Sequence, residues 1–524
     1  MVLVGDADFR PGLLDQLDGP CRVAAEGRAV DLLGPADVID RHLQRVVGVL
    51  EVRVRKRVGG RTAHEQGCSS GAAEEGGAGL HVSACRLWLN SARANNMLEF
   101  TQSIFDQERD PMSQTIFTNA NLVLDGFDDL QRSFEVLVED GTVRALSNMP
   151  LERPQGANII DVGGRTLMPG LIDAHAHIMG LSLTPKNIAS PASEIAIASE
   201  HYLRNCLMDG FTTIREAGGA DHATAHMLAT GAIEGPRLFY SGKALTQTGG
   251  GADFRTPDEN LDPCGHVGPF SNMSVIADGV DEVRKAAREE LRKGASQIKL
   301  FASGGVVFPA EGHSTRYEFS EAEIAAVVEE ATARNTYVMA HVYTDEGVRR
   351  CLKAGVRSIE HANFVSEETV QMMADAGAFL VPTFISLQQR VESAAHTHLP
   401  EAIVRNIEHT IERGRQVYAW ARKHKVSIGL GTDLWGPDAQ KSQLREFEMR
   451  MTLDTPANIL RSATVTNADL LMSKGLLGTI AEGAHADLLI VDGDPLTDLR
   501  VLLDPQKNLK FIMKGGVVCK NEMH

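Results

Sequence analysis

Cysteine is scarce in this sequence and has no pattern. The seven cysteines among 524 residues include no Cys-x-x-Cys pair; they are Cys21, Cys68, Cys85, Cys206, Cys264, Cys351 and Cys519. Such scattered residues provide no disulfide framework, which argues against a disulfide-stapled secreted scaffold and indicates a reducing compartment. No apolar run approaches the roughly 20 residues that a membrane helix needs, and the first residues lack a basic start followed by an apolar stretch. We therefore expect a cytoplasmic protein that does not associate with membranes.

Basic residues are also under-represented. Lysine and arginine total 52 against 69 aspartates and glutamates, a net charge of −17, which argues against nucleic acid as a partner. What the chain has is length and apolar content: 43% of its residues are hydrophobic, enough to bury a large core. The length also predicts more than one structural unit.

The most informative motif is His175-Ala-His177, which ends an apolar run that begins at Leu167. The run is typical of a buried strand, in which residues two apart point to the same side, so both imidazoles can face one metal ion. With 18 histidines in the chain the motif alone proves little. A second copy, His396-Thr-His398, follows no apolar run, and we interpret it as a solvated coincidence.

Four further polar residues close later apolar runs: Lys299, His341, His361 and Asp433. One ionisable residue at the end of a strand is readily an accident, but a repeated pattern is not. It indicates that polar groups from distant parts of the sequence lie together at the carboxyl ends of the strands, as they do in a (β/α)8 barrel.

The spacing of the apolar runs supports that α/β architecture. The predicted barrel strands are Leu171–His175, Thr212–Arg215, Leu238–Ser241, Gln297–Phe301, Val338–His341, Ser358–His361, Phe379–Pro382 and Ser427–Gly431. Most are followed by apolar residues three and four apart, the period of an amphipathic helix. We predict a TIM-type barrel over 169–475, with a small β-sandwich formed by both flanks, 112–168 and 476–524, where β-branched runs alternate with turn signals.

Residues 1–111 differ in composition from the rest of the chain and contain no catalytic motif. A basic cluster there could be a targeting arm or an anion-binding patch, but a disordered or non-native extension is the favoured interpretation. We expect translation to begin near Met97 or Met112 and the preceding residues to be dispensable.

The motifs resemble the amidohydrolase superfamily of metal-dependent hydrolases. The order HxH, Lys, His, His, Asp matches its ligand set. Met168-Pro-Gly-Leu-Ile-Asp-Ala-His-Ala-His, Lys299-Leu-Phe-Ala-Ser-Gly-Gly and His341-Val-Tyr343 are similar to the branch related to imidazolonepropionase, with prolidase-like Xaa-Pro dipeptidases and ochratoxin amidohydrolases. The resemblance runs from about Ile116 to Val518.

The resemblance implies a dinuclear centre, most readily of Zn²⁺. His175, His177 and Asp433 would bind one ion, and His341 and His361 the other. Lys299, carboxylated by carbon dioxide, would bridge them as a carbamate. Taken alone, such a lysine is more often one that snorkels or pairs with an acid.

The resemblance also implies catalytic roles. Asp433 would act as general base on the attacking water and return the proton to the departing amine. Tyr343 lies two residues after His341, so it shares a strand face with it and would donate a hydrogen bond to the developing oxyanion. The alternative for Tyr343 is a tyrosine that packs in the core.

Substrate contacts are expected in the long loops after the strands. Many relatives have Gly-Gly-His after the third strand, whereas this chain has Gly249-Gly-Gly251. His266, further along the same loop, could substitute for that histidine, or the pocket accepts a different group. Trp435 would add to an apolar rim that favours a hydrophobic acyl or aryl group, although ordinary packing explains it too.

Three functions remain open. The leading one is hydrolysis of a small-molecule amide: an N-acyl amino acid, a dipeptide, or a related carboxamide or carbamate. The second is a mononuclear deaminase or cyclic-amide hydrolase, which Lys299 disfavours because many such relatives lack the bridging lysine. The third is an inactive scaffold, which usually loses ligands, and none is missing here. A homo-oligomer is expected from the resemblance.

Overall fold

The structure is a computed structural model that describes residues 114–523 except 126, 128, 182–189, 254, 256–272 and 307–315. All of these residues belong to one of the two units into which the chain divides, Asp110–His524. The predicted extension 1–111 and His266 lie outside the described residues. Of the described helices, none is long and apolar enough to cross a membrane.

The described part of the chain alternates strands and helices over most of its length. The strands are β1 (Thr115–Leu122), β2 (Gln131–Glu139), β3 (Thr142–Ser147), β4 (Asn158–Asp161), β5 (Thr166–Pro169), β6 (Leu171–Ala176), β7 (Phe211–Glu216), β8 (Arg237–Tyr240), β9 (Ala244–Thr246), β10 (Ser274–Ile276), β11 (Ile298–Phe301), β12 (Val338–Thr344), β13 (Ser358–Phe364), β14 (Phe379–Val381), β15 (Ser427–Ile428), β16 (Leu488–Val491), β17 (Leu509–Lys514) and β18 (Val517–Asn521).

The helices lie mainly between these parallel strands. They are α1 (Ala192–Met208), α2 (His222–Ala229), α3 (Val280–Arg292), α4 (Glu321–Ala333), α5 (Asp345–Ala354), α6 (Glu367–Ala376), α7 (Phe384–Thr397), α8 (Glu401–Lys423), α9 (Gly436–Gln440), α10 (Arg445–Arg450), α11 (Pro456–Ser462), α12 (Val465–Leu470) and α13 (Pro505–Asn508), with a 3₁₀ turn at Leu499–Leu502. Local sequence explains where several begin. Before α4, for example, Ser320 and Glu323 form a reciprocal capping box, which satisfies backbone N–H groups at the helix start.

Strands from both flanks of the chain form a single sheet. Its order is β18-β17-β16-β5-β1-β2-β3, and β4 pairs in parallel with β1. The link between the flanks is the antiparallel pair β5 and β16, with Met168 opposite Leu489. One apolar cluster serves this sheet, and in it the rings of Phe117 and Phe511 meet edge to face at 5.5 Å. The two flanks are thus fastened together, as expected from their shared β texture.

All eight predicted barrel runs overlap strands of two parallel sheets, although β15 covers only Ser427–Ile428 of its run and β12 and β13 continue past His341 and His361. One has the order β6-β7-β8 and the other β10-β9-β11-β12-β13-β14-β15. Backbone hydrogen bonds join the two sheets at two places: Ala174 on β6 donates to the carbonyl of Leu430, which follows β15, at 2.9 Å, and Ser296, which precedes β11, donates to that of Tyr240 on β8 at 2.8 Å. Every residue of β6 and β7 is buried, as is typical of parallel strands covered on both faces.

Helices pack on the seven-stranded sheet through the largest apolar cluster. It includes Leu300 and Ile359 from the strands and Val327 and Val348 from α4 and α5, each less than 2% exposed. Because this layer holds the strands rigidly, their carboxyl ends form a fixed platform on which side chains can be placed with precision.

Candidate metal centre

Six polar residues from five strands meet at the carboxyl ends of the parallel sheets. His175 Nε2 lies 3.4 Å and His177 Nε2 lies 3.1 Å from Asp433 Oδ1. His361 Nε2 lies 3.0 Å from His341 Nδ1, and the rings of His175 and His361 are 5.3 Å apart. Ligand atoms of His175, His361 and Asp433 all lie within 4.8 Å of one another. The structure therefore brings together residues that the sequence separates by up to 258 positions.

The backbone is left-handed within β13 and after each of the next two strands. His361 after the start of β13, Thr383 after β14 and Asp433 after β15 have φ values of 72°, 48° and 55°. Left-handed backbone is uncommon for residues with a side chain and costs of order 1 kcal/mol or more. Such strain persists where the surrounding structure imposes it and is concentrated at functional sites. Here it occurs at two of the predicted ligands and at a residue that contacts one of them.

Lys299 is fully buried on β11. Its Nζ has no hydrogen-bond partner, and no carboxylate of the described residues lies within ion-pair distance of it. The predicted alternative, pairing with an acid, is therefore absent from this part of the chain. Burial lowers the pKa of Lys299 to about 8, because the charged form is poorly solvated there, although Glu360 and Asp433 oppose the shift. A lysine with this pKa is still mostly protonated at neutral pH, but its neutral, nucleophilic fraction is far larger than that of an ordinary lysine.

The histidines are held in the neutral form that metal binding requires. Burial, followed by the positive charge of Lys299, lowers the pKa of His175 well below its usual range, and burial lowers the pKa of His361 to about 4. Burial favours the neutral acid at Asp433, but His175 and His177 outweigh it and hold the pKa of that carboxyl well below its usual range. The site thus combines neutral imidazoles with an ionised carboxylate.

This donor set fits a divalent cation. His175 Nε2 and Lys299 Nζ are buried without a hydrogen-bond partner, whereas most buried polar atoms in proteins have one. Imidazole nitrogens and carboxylate oxygens are the ligands that zinc accepts. A cation among them would satisfy the lone pair of His175 Nε2, provided that Lys299 is neutral or carboxylated, because a protonated amine has no lone pair to offer.

Tyr343 lies beside the second histidine pair. Its ring stacks on that of His361 at 4.9 Å and meets that of His341 edge to face at 5.2 Å. The backbone N–H of Tyr343 donates to Ser303 Oγ at 2.8 Å, which fixes the strand end. Burial raises the pKa of the phenol well above its usual value, so the hydroxyl stays protonated and able to donate.

Trp435 lies on the opposite side, against the HxH motif. Its ring stacks on His177 at 4.1 Å, and its Nε1 donates to Asp433 Oδ1 at 3.4 Å. The ring also fills the space in front of Gly180, where an added Cβ would lie 2.4 Å from it. Trp435 therefore braces two predicted ligands at once.

Gly251 lines a loop next to these groups. Its backbone N–H donates to Glu318 Oε1 at 2.8 Å. A Cβ added there would lie 3.2 Å from the carbonyl oxygen of Ser303 and 3.3 Å from Phe301, whose ring stacks on His341 at 4.4 Å. Any larger side chain at this position would have to displace its neighbours. Burial raises the pKa of Glu318 to about 7.

Several residues that support the site escaped the sequence analysis. Glu360 Oε2 accepts from His175 Nδ1 at 2.7 Å, and Thr383 Oγ1 lies 2.7 Å from His361 Nδ1. Asp173 accepts from the backbone N–H of His175 at 3.0 Å and from Thr432 Oγ1 at 2.6 Å. Asp173 and Glu360 could have been noticed, because a carboxylate inside an apolar strand must be paired when it is buried.

Comparison with known proteins agrees with this geometry. Residues 166–519 match the Amidohydrolase family. Ochratoxinase from Aspergillus niger is 33% identical over 369 residues, which cover 68% of this chain and 75% of ochratoxinase. Its crystal structure covers 79% of this chain and 96% of its own, with a TM-score of 0.69 and 28% identity.

A second solved relative is a prolidase complexed with N-methylphosphonate-L-proline. It is 37% identical, with a TM-score of 0.74, and the match covers 78% of this chain and 100% of the prolidase. Imidazolonepropionase from Treponema denticola is 23% identical over 406 residues, which cover 73% of this chain and 90% of that enzyme. The chain therefore belongs to the amidohydrolase family, in the branch of these relatives, and is a hydrolase that acts on carbon–nitrogen bonds.

Proposed function

We propose that this protein is a dinuclear metal-dependent amidohydrolase that cleaves the amide bond of an N-acyl amino acid, a dipeptide, or a related carboxamide or carbamate. The observation that carries the proposal is Lys299, a buried lysine whose Nζ has no hydrogen-bond partner among the described residues, on the strand beside β12, which bears His341. We propose a (β/α)8 barrel with a β-sandwich as its architecture. The backbone hydrogen bonds between the two parallel sheets and the solved relatives support this.

The spacing of the ligand atoms supports two divalent cations, with zinc as the first choice. Two ligand atoms on a tetrahedral zinc lie about 3.3 Å apart, given bonds of about 2.0–2.1 Å. The pairs His175–Asp433, His177–Asp433 and His341–His361 have separations of 3.4, 3.1 and 3.0 Å. Each pair is thus already at a distance that suits a shared ion.

Lys299 would join the two groups as a carbamate formed with carbon dioxide. Its lowered pKa of about 8 supplies the free amine that this addition needs. The neutral amine nitrogen would form a C–N bond with the carbon of carbon dioxide and release one proton to solvent, and divalent cations at the site would offset the negative charge of the resulting carbamate. Metal ions bound here would lower the pKa of a shared water and polarise the substrate carbonyl.

Asp433 divides its two oxygens between binding and proton transfer. Oδ1 lies beside the imidazole nitrogens of His175 and His177, whereas Oδ2 accepts a long hydrogen bond of 3.3 Å from Ser386. Oδ2 is therefore the oxygen that can take the proton of the attacking water and pass it to the departing amine. Tyr343, protonated and adjacent to the second histidine pair, would donate to the oxygen that gains charge as the carbonyl is attacked.

The experiment that tests the proposal measures metal content and turnover together. Protein expressed with zinc is analysed for metal and assayed with N-acyl amino acids, dipeptides and aryl amides, using amine release as the readout. We expect about two metals per chain, by analogy with two-metal hydrolase sites, and turnover of at least one amide class. One metal per chain with release of ammonia would replace this proposal with the deaminase alternative.

A further inference from the structure

A buried network of charged groups lies on the Nδ1 side of His175. Glu360 accepts from His175 Nδ1 at 2.7 Å, and Arg215 donates through Nη2 to both oxygens of Glu360, at 3.0 and 3.1 Å. The side chains of all three residues are fully buried. Ser358 donates its hydroxyl to Glu360 as well, and Arg215 Nη1 donates to Ser358 Oγ at 3.1 Å. Every oxygen of the Glu360 carboxylate is therefore bound, and its charge is matched by that of Arg215.

This arrangement determines which nitrogen of His175 carries the proton. An ionised carboxylate can only accept hydrogen bonds, so the neutral imidazole must place its hydrogen on Nδ1. The other nitrogen, Nε2, then presents a lone pair toward Asp433 Oδ1, 3.4 Å away, and has no hydrogen-bond partner of its own. A carboxylate partner also makes an imidazole a stronger donor toward a metal ion.

The other predicted histidine ligands are supported differently. His361 Nδ1 faces a neutral hydroxyl, that of Thr383, at 2.7 Å, and His177 is held by stacking on Trp435. The described residues place no carboxylate on the outer nitrogen of either ring. The charged support is therefore specific to His175 within the described site.

Arg215 ties this support to the fold. Its Nε donates to the backbone carbonyl of Ala174, the residue before His175 on β6. Arg215 lies on β7 and Glu360 on β13, so one network connects three strands to a single imidazole.

We propose that Glu360, held by Arg215, is a positioning residue that fixes His175 as the Nδ1–H tautomer and thereby sets the affinity of the His175 position for a divalent cation. Neither residue contacts the reacting atoms. The inference rests on the proposed function only in requiring that the site binds metal. The tautomer itself is a property of the metal-free protein.

The first test is the ¹⁵N spectrum of metal-free protein labelled at its histidines, with the His175 signals assigned by comparison with His175→Gln. We expect a protonated Nδ1 and an unprotonated Nε2. The opposite tautomer, or rapid exchange between the two, would overturn the inference. This measurement uses the wild-type chain, so it decides even if a variant fails to fold.

The second test compares Glu360→Gln with a matched control. Zn²⁺ is titrated in competition with a chelating indicator, and loss of the carboxylate should weaken binding about 10- to 100-fold. The control is Glu446→Gln, because Glu446 and Arg450 form another fully buried pair, at 2.8 Å, that contacts no histidine. Both variants should lose stability, but only Glu360→Gln should lose zinc affinity and alter the His175 spectrum.

The outcomes separate this inference from the proposed function. Zinc affinity equal to that of the wild type in folded Glu360→Gln would contradict the positioning role while leaving the hydrolase intact. Arg215→Lys, which keeps the charge but not the paired hydrogen bonds, should give an intermediate affinity. Failure of the wild-type protein to bind zinc would overturn the proposed function, and with it the affinity role of Glu360, even where the spectrum shows the Nδ1–H tautomer.

Discussion

The sheet built from the two flanks and the site at the ends of the parallel strands treat buried polar groups in opposite ways. The flank sheet, β1–β5 with β16–β18, contains no buried side-chain nitrogen or oxygen without a partner among its described residues. The site contains several, at His175, His177, Lys299 and His341. The buried polar atoms of the flank sheet are paired within the protein, whereas those of the site are left available to a bound group.

The difference separates stability from function. Burial of apolar side chains such as Phe117 and Phe511 stabilises the flank sheet without any ligand. At the site, desolvated polar groups and left-handed backbone at His361 and Asp433 cost free energy that the rest of the fold must offset. Substitutions in the flank sheet should therefore alter stability, whereas substitutions at the site should alter metal binding and turnover.

Replacement of Lys299 should produce the largest effect. Lys299→Ala removes the group that would link the two sets of ligands, so we expect at most one weakly held metal and a loss of turnover of more than about 10⁴-fold, the scale of removing a central catalytic group. Metal analysis and the amine-release assay measure both. Lys353→Ala on α5, where the lysine is exposed and pairs with Glu321, is the control and should match the wild type. Two tightly bound metals in Lys299→Ala would contradict the assignment.

Asp433→Asn should separate proton transfer from metal binding. The amide keeps the size of the side chain but cannot act as a base, so turnover should fall about 10²- to 10⁴-fold. The fold and most of the metal content should remain, which circular dichroism and metal analysis can check. Wild-type turnover in this variant would exclude Asp433 as the general base.

Phe511→Ala should show the opposite behaviour to the site variants. Removing this ring leaves a cavity beside Phe117 and should lower the free energy of unfolding by about 3–5 kcal/mol, as for other large-to-small core changes. Urea unfolding measures the loss. Turnover per folded molecule should stay at the wild-type value below the unfolding transition, and a lower value there would show that the two regions are not independent.

The pH dependence of stability should reveal the buried lysine in metal-free protein. The pKa of Lys299 is about 8 when folded and about 10.4 when unfolded, so the folded chain binds fewer protons between these values. Stability should therefore rise with pH from about 8 to 10.4, by up to about 3 kcal/mol at 1.36 kcal/mol per unit. Lys299→Met should lack this rise when unfolding is measured across that window without carbon dioxide. An identical pH profile in the two proteins would show that the lysine is not perturbed.

Tyr343→Phe should have the smallest effect of the site variants. The change removes only the hydroxyl and keeps the ring that stacks on His361. If the hydroxyl donates to the developing oxyanion, kcat should fall about 100-fold, the lower end for loss of such a donor, with little change in metal content. A change in stability with unchanged kcat would instead assign Tyr343 to packing.

Much of this architecture could be predicted from the sequence, because the spacing of the apolar residues and the position of the polar residues that follow them indicate it. Each of the eight apolar runs overlaps a strand, and His341 and His361 lie together in the site, although their strands continue three residues past them. The joining of the two flanks in one β-rich unit was predicted, as a small β-sandwich, from the similar β-branched runs and turn signals at 112–168 and 476–524. These features can be predicted because strand formation and burial depend on the local pattern of apolar residues.

The residues that support the site could not be predicted from the sequence in the same way. Arg215 and Glu360 are 145 positions apart, and nothing local shows that they meet. Glu318 pairs with the backbone of Gly251 only because two loops come together. Contacts of this kind depend on the packing of whole strands, which no window of sequence contains.

The sequence by itself determined which apolar runs end in His, Lys or Asp and in what order these residues occur. Only the tertiary structure decided their chemical state. Folding removed water from Lys299, placed Glu360 on the outer nitrogen of His175 and imposed left-handed backbone on Asp433. The physical reason is that pKa, tautomer and strain depend on the surrounding dielectric and on neighbours brought from far along the chain, whereas strand and helix period depend on residues nearby.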